Sequence, residues 1–188
     1  MTKTTVVFTD GTLSTAADLA TDAYRPLWTG PSGEESTGEA VARHLDAARA
    51  LLDKDGWVRP TSSSADDLAA RIPADDDSMT VKAMLQALLR FVRDDIATTA
   101  GPRTLFTALL HVGESDEGDS DTRDIAGEVL TLVIQAHTGS PTARATPWSE
   151  RLDRTHADID ALLAAGAEFA RTYGPGQDVR PVGPPAQR

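Results

Sequence analysis

Apolar residues recur at helical spacing through much of the chain, and this pattern predicts a helical protein. Val41, Leu45, Ala48 and Leu52 are separated by four, three and four positions, so a helix over 39–55 would place them on one face. Ser36 or Thr37 can cap the beginning of this helix and Gly56 can end it. The first helix therefore has one apolar face and one face for solvent.

Three more segments are apolar enough to form the core, at 78–98, 103–112 and 122–137. The segment 78–98 is apolar on nearly all sides, which is typical of a central helix. A last helix is predicted at 155–172, where Thr155 and Asp158 have the spacing of a capping box. A short helix is predicted at 65–72, between Ser64 and Pro73.

The two ends of the chain differ from its middle. The β-branched run from Thr4 to Thr9 predicts a strand that Asp10-Gly11 ends, and residues 29–38 have the composition of a linker. From Gly174 onward the chain has little to bury, so a disordered tail is expected. We therefore predict an N-terminal strand or arm and linker over 1–36, a helical domain over 37–173 and a tail over 174–188. The predicted fold is mainly α, a bundle of five or six helices with at most a small β-ribbon near the N-terminus.

Charge and composition exclude several classes of protein. The chain carries 18 basic and 29 acidic residues and a formal charge of −11, which argues against direct nucleic-acid binding and against docking on anionic lipid. No apolar run approaches the ~18 residues of a membrane span. The chain has no cysteine, so disulfides, thiolate metal sites and cysteine nucleophiles are excluded. We expect a cytoplasmic protein without a cofactor.

Two motifs imitate known catalytic loops but lack the residue that does the chemistry. The run from Val7 to Thr12 resembles a phosphatase motif, yet Phe8 stands where the nucleophilic aspartate belongs. The glycine-rich run 30–37 resembles a phosphate-binding loop, but it has Glu34 and Glu35 where that loop needs a lysine. Neither motif supports catalysis.

The histidines allow one assembled site. His111 and His137 end two predicted core helices, so they could meet near acidic neighbours and form a metal or hydrolase site. The alternative is that each histidine meets the carbonyl groups at the end of its own helix. No metal ligand or catalytic residue is assigned from the sequence.

Two tryptophans stand in turns beside arginines, and they define a possible binding surface. Trp57 precedes Arg59, and Trp148 precedes Arg151. Trp57, Arg59 and Trp148 could line a cleft, and together with Arg151 they form a possible surface for binding a partner. The alternative is that both tryptophans are anchors that pack their turns onto the core.

The same residues carry a resemblance to a family. The segment from Leu51 to Trp57, followed by Trp148-x-x-Arg151-x-x-Arg154-Thr155, resembles a family of small helical domains from actinobacteria and their phages. The resemblance extends over about residues 38–172, and the chain departs from the family at 81–86, which lacks the usual cysteine and glycine. The family has no assigned function, so the resemblance implies a helical fold and no activity.

Three hypotheses of function remain. The first is a non-enzymatic helical interaction protein, an accessory or regulatory factor of a bacterium or phage with a protein partner. The second is an acidic mimic of nucleic acid that inhibits a DNA-binding protein. The third is a small hydrolase with an assembled site of histidine and carboxylate. The oligomeric state stays open.

Overall fold

The protein is a bundle of helices, as the sequence predicts. A computed structural model describes residues 5–60, 80–86, 89, 101–115 and 118–176. Within these ranges the named helices are α1 (Asp10–Thr21), α2 (Gly38–Asp55), α3 (Leu105–Gly113), α4 (Ser120–Thr138), α5 (Ala145–Ser149) and α6 (His156–Tyr173). Residues 81–86 and 89 are helical as well. The mainly α fold class is confirmed, while the predicted helix at 65–72 lies outside the described residues.

Helices α2, α4 and α6 form the centre of the bundle. Each contributes side chains that are almost inaccessible to solvent, among them Leu45 from α2, Leu130 and Ile134 from α4, and Leu162 and Phe169 from α6. Helices α1, α3 and α5 pack around these three. The core lies where the apolar faces of the helices meet, so burial of these faces stabilises the bundle.

The helix ends match their sequence signals closely. Thr37 caps α2, and Gly56 ends it with a φ of 86°, which favours glycine. At the beginning of α6 the Thr155 side chain accepts from the Asp158 N–H, and the Asp158 side chain accepts from the Thr155 N–H. The predicted capping box is confirmed.

The prediction for the N-terminal segment is wrong in its details. Residues 5–9 form no strand, and Asp10-Gly11, expected to end that strand, begins helix α1 instead. Thr9 and Thr12 form a capping box at this helix, and Leu13 and Ala16 are buried against the core. Local capping and burial outweigh the unfavourable glycine. The described part of the N-terminal arm is therefore an integral part of the bundle.

The linker before α2 is held to the beginning of α4. The Asp121 side chain accepts from the Ser32 N–H at 3.1 Å and from the Ser32 hydroxyl. The hydroxyl groups of Ser36 and Thr122 are 2.7 Å apart and hydrogen-bonded. These contacts keep the segment that joins α1 to α2 in one place on the bundle.

The central position predicted for 78–98 is wrong for the residues that the structure describes there. These residues are helical, but their large apolar side chains Val81, Met84, Leu85 and Leu89 are 47–79% exposed. An apolar pattern indicates that one face of a helix favours burial, but it does not indicate which part of the protein packs against that face. Here the described part of the core is completed without these side chains.

The backbones of α2 and α6 meet at two glycines. A Cβ atom on Gly38 would lie 2.2 Å from the Ala170 carbonyl oxygen, and one on Gly174 would lie 2.3 Å from the Gly38 Cα. The Gly38 N–H also donates to the Pro175 carbonyl at 3.0 Å. Glycine at both positions lets the backbone at the beginning of α2 approach the backbone at the end of α6 closely.

Candidate binding site

Trp57 and Arg59 are positioned by the end of helix α2. After Gly56 the chain pairs with Arg103: the Arg103 N–H donates to the Gly56 carbonyl at 2.8 Å, and the Val58 N–H donates to the Arg103 carbonyl at 2.9 Å. This short parallel bridge holds Trp57 partly buried against the core. The guanidinium of Arg59 lies 5.4 Å from the centre of the Trp57 ring, within the range of a cation–π contact.

The second tryptophan, Trp148, lies in helix α5 and is paired with Arg154, which was not among the residues predicted as a binding surface. The Trp148 ring is buried, 5% exposed, and the guanidinium of Arg154 lies 4.1 Å from its centre. Arg59 Nη2 donates to the Arg154 carbonyl at 2.9 Å, which joins the two pairs. We call Trp57, Arg59, Trp148 and Arg154 the arginine–tryptophan cluster.

The structure brings together three of the four residues predicted as a binding surface. Arg151 is the exception: its side chain is 62% exposed and is paired with Asp153 at 3.2 Å. Trp148 is buried and therefore presents no exposed aromatic surface, as expected of an anchor. Arg154 replaces Arg151 in the cluster because its position in the turn before α6 places its side chain over the Trp148 ring.

Three buried N–H groups in the cluster have no acceptor. They are Arg59 Nε, Arg154 Nε and Trp148 Nε1, and they make up three of the four buried side-chain polar atoms left unpartnered among the described residues. Buried polar groups in folded proteins almost always find a partner. All three of these groups are donors, so any group that satisfies them must bring acceptor oxygens.

The surroundings of the cluster contain aromatic rings and one histidine. The Phe8 ring lies 4.9 Å from the His137 ring and 6.2 Å from the Trp148 ring, between ring centres. Burial, together with the nearby positive charge of Arg154, lowers the pKa of His137 below 6.5. His137 thus packs beside the cluster as a neutral ring at neutral pH.

The nearest buried carboxylate is already used by the fold. Asp158 accepts from the Val6 N–H at 2.7 Å and from the Thr155 N–H and hydroxyl at 2.8 Å each. Burial alone would raise the pKa of Asp158, but these hydrogen bonds and the charge of Arg154 outweigh burial and lower it. This carboxylate fastens the N-terminal segment to α6.

The described residues contain no group of three histidine, cysteine or acidic side chains that could hold a metal ion. His137 faces Phe8, and His111 is half-buried near the end of α3. The geometry at His137 is that of a packing contact, so the site assembled from His111 and His137 stays a sequence-based hypothesis.

A second candidate surface is formed by the helical residues 81–86 and 89. Val81, Met84, Leu85 and Leu89 follow one another at spacings of three, one and four residues and are all exposed. Such spacing places them along one side of a helix. We call these four side chains the apolar face.

A groove of about 700 Å³ lies between the loop at 23–31, helix α3 and helix α4. Leu105, Leu109 and Leu130 line it, and Phe106 at its edge is exposed. Arg123 and Asp124 at its rim pair with each other at 2.7 Å. The groove is therefore mainly apolar, with little free charge at this part of its rim.

The comparisons with known proteins identify a family and nothing closer. A family of unknown function, DUF6197, matches residues 36–169 of the chain, which confirms the prediction that the chain belongs to a family without an assigned function. No curated protein and no solved structure matches the chain. In the described part of the chain no helix has the length and apolar character needed to cross a membrane.

Proposed function

The chain belongs to the DUF6197 family, whose function is unknown, and we propose that it is a non-enzymatic interaction protein that binds a protein partner through the apolar face. We also propose that it acts as an accessory or regulatory factor in the cytoplasm of a bacterium or in a phage-infected cell. The observation that carries this proposal is the exposure of four large apolar side chains within nine residues.

The apolar face has the form of a helical recognition element. Its side chains at 81, 85 and 89 repeat every four residues, with Met84 beside them, which is the pattern of a helix that binds in a partner's groove. A contiguous apolar patch exposed on a protein surface typically marks an interaction site. A partner with an apolar groove would remove this surface from water.

The charged groups of the described bundle support a structural role over a catalytic one. Asp119 and Asp158 cap helices, and hydrogen bonds from Thr122 lower the pKa of Asp119. Arg103 pairs with Asp55 at 2.8 Å. Ion pairs between α2 and α6 join Arg49 to Asp160 and Arg171 to Asp46. Acidic side chains paired in this way with arginines differ from the rows of free carboxylates that mimicry of nucleic acid requires.

The test is a pull-down from native lysate that compares three forms of the full chain. Leu85→Ser changes the centre of the apolar face, and Leu152→Ser changes an equally large side chain that is 87% exposed elsewhere. We expect the Leu152 variant to retain the proteins captured by the parent chain and the Leu85 variant to lose them. Circular dichroism checks that both variants stay folded, which is expected because both side chains are exposed.

Two results would overturn the proposal. One is a captured protein that the Leu85 variant retains as well as the parent does. The other is capture of DNA-binding proteins that is insensitive to Leu85→Ser and is released by salt, since that behaviour indicates the acidic mimic. Turnover of a substrate by both variants would favour the hydrolase hypothesis.

A further inference from the structure

We propose that the arginine–tryptophan cluster is a binding site for a phosphate group, with Arg59, Arg154 and the indole N–H of Trp148 as its donors. This site is separate from the apolar face and does not depend on it. The proposal starts from the three buried donors of the cluster that have no acceptor.

The first step of the argument is that the donors lie in one connected structure. Arg154 stacks on Trp148, Arg59 stacks on Trp57, and Arg59 donates to the carbonyl of Arg154. Two cations and an indole N–H are thus brought together from segments that are about ninety residues apart along the chain. Leaving buried donors without acceptors is unfavourable. A ligand that supplies acceptors therefore gains binding free energy from each donor that it satisfies.

The second step concerns charge. Arg59 has no carboxylate partner among the described residues, since its hydrogen bond goes to a carbonyl. Arg154 shares the exposed Asp153 with Arg151, at a distance of 3.6 Å between Nη1 and Oδ2. Asp158 is a nearby negative charge for Arg154, although its hydrogen bonds are directed to Val6 and Thr155. Three arginines (Arg59, Arg151 and Arg154) thus face two carboxylates (Asp153 and Asp158). Positive charge at the cluster is therefore incompletely balanced, although the chain as a whole is acidic.

The third step selects the kind of anion. Guanidinium groups bind oxyanions through paired N–H donors, and the bond is stronger where aromatic rings keep water away. Three donors on three different side chains are best matched by three separate acceptor oxygens. A tetrahedral phosphate offers them, whereas a carboxylate offers two oxygens in one plane. The Arg154 side chain is 14% exposed, so the cluster lies just beneath the surface.

The test follows the indole N–H signals of the full-length chain by nitrogen–proton NMR while inorganic phosphate replaces chloride at constant ionic strength. The chain has three tryptophans, so three such signals are expected, and Trp148→Phe identifies the signal of Trp148 by its loss. We expect this signal to move on addition of phosphate and the Trp28 signal to stay. Glycerol phosphate in a second titration shows whether an esterified phosphate is preferred over the free ion.

Matched arginine variants separate the proposed site from general charge effects. Arg59→Gln should weaken phosphate binding by about 10- to 100-fold, which corresponds to one charge-assisted hydrogen bond. Arg59→Lys keeps the charge but lacks the Nε donor, so it should weaken binding as well. Arg151→Gln removes an exposed arginine from the same turn and should bind like the parent. The spectra themselves show whether each variant is folded.

Several outcomes would overturn the proposal. The first is an indole signal of Trp148 that phosphate does not move. The second is an equal loss of binding in Arg151→Gln and Arg59→Gln, which would indicate attraction by charge alone. The third is an acetate titration that moves the Trp148 signal at the same concentrations as phosphate.

Discussion

Replacing Asp158 with asparagine tests how the N-terminal segment is joined to the bundle. The two carboxylate oxygens have different partners: Oδ1 accepts from the Val6 N–H, and Oδ2 accepts from the N–H and the hydroxyl of Thr155. An amide keeps only one of these oxygens and places an NH₂ group where the other was. Either the Val6 N–H or the Thr155 N–H therefore loses its acceptor.

The size of the effect follows from this loss. A hydrogen bond to a charged group contributes about 1.5–3 kcal/mol, and a buried donor left unpaired adds to the loss. We expect Asp158→Asn to lower the free energy of unfolding by about 2–4 kcal/mol. Urea unfolding followed by circular dichroism measures this. Asp160→Asn is the control, because its ion pair with Arg49 is partly exposed and contributes about 0–1 kcal/mol.

The pH dependence gives an independent measurement at the same residue. The pKa of Asp158 in the folded protein lies below its ordinary value of 3.8, so the unfolded chain binds a proton more readily. The stabilisation is complete above the unfolded pKa and is lost as the pH falls through the folded pKa. Asp158→Asn should remove this acid-dependent loss. Equal stability of the Asp158 and Asp160 variants at neutral pH would refute the reasoning.

Two further predictions concern close packing and a buried histidine. Gly38→Ala should destabilise the protein by about 1–3 kcal/mol, because its Cβ would lie 2.2 Å from a backbone oxygen of α6. Gly127→Ala, which has open space around it within α4, should be neutral or stabilising in the same thermal unfolding experiment, and equal effects would contradict this explanation. Burial lowers the pKa of His44 below 6.5, and the positive charge of Arg123 adds to that effect. Its contribution to stability is therefore complete above pH 6.5 and falls as the pH drops below that value. Urea unfolding at several pH values below 6.5 measures how the free energy of unfolding depends on pH. This dependence should be weaker in His44→Gln than in the parent, and an unchanged dependence would rule out His44 as its source.

The helices with both a periodic apolar face and a clear cap could be predicted from the sequence. Helices α2 and α6 have these features, and their predicted ends agree closely with the structure. Helix α1 was missed because Leu13 is the one large side chain among its two buried residues, the other being Ala16, and because Gly11 lies in its first turn. The segment that contains the helical residues 81–86 and 89 was predicted as central because its composition is that of a core. Only the tertiary structure shows that the apolar face is exposed.

The candidate site was predictable in part. Trp57, Arg59 and Trp148 stand out as large side chains in turns, and the structure joins them. Arg154 was not predicted as part of the site because its place there depends on a contact with Arg59, which is 95 positions away in the sequence. No local pattern encodes which of two arginines in one turn, Arg151 or Arg154, will stack on Trp148.

The contacts made by helix α1 show that the folded bundle is larger than the region that the family shares. The family match begins at residue 36 and ends at 169, yet Leu13 and Ala16 are buried in the same core as Phe169. A fragment cut at the family boundaries would uncover that part of the core and would also lose the Pro175 carbonyl that accepts from Gly38. An expression fragment of this protein should therefore include helix α1 and extend through Gly176.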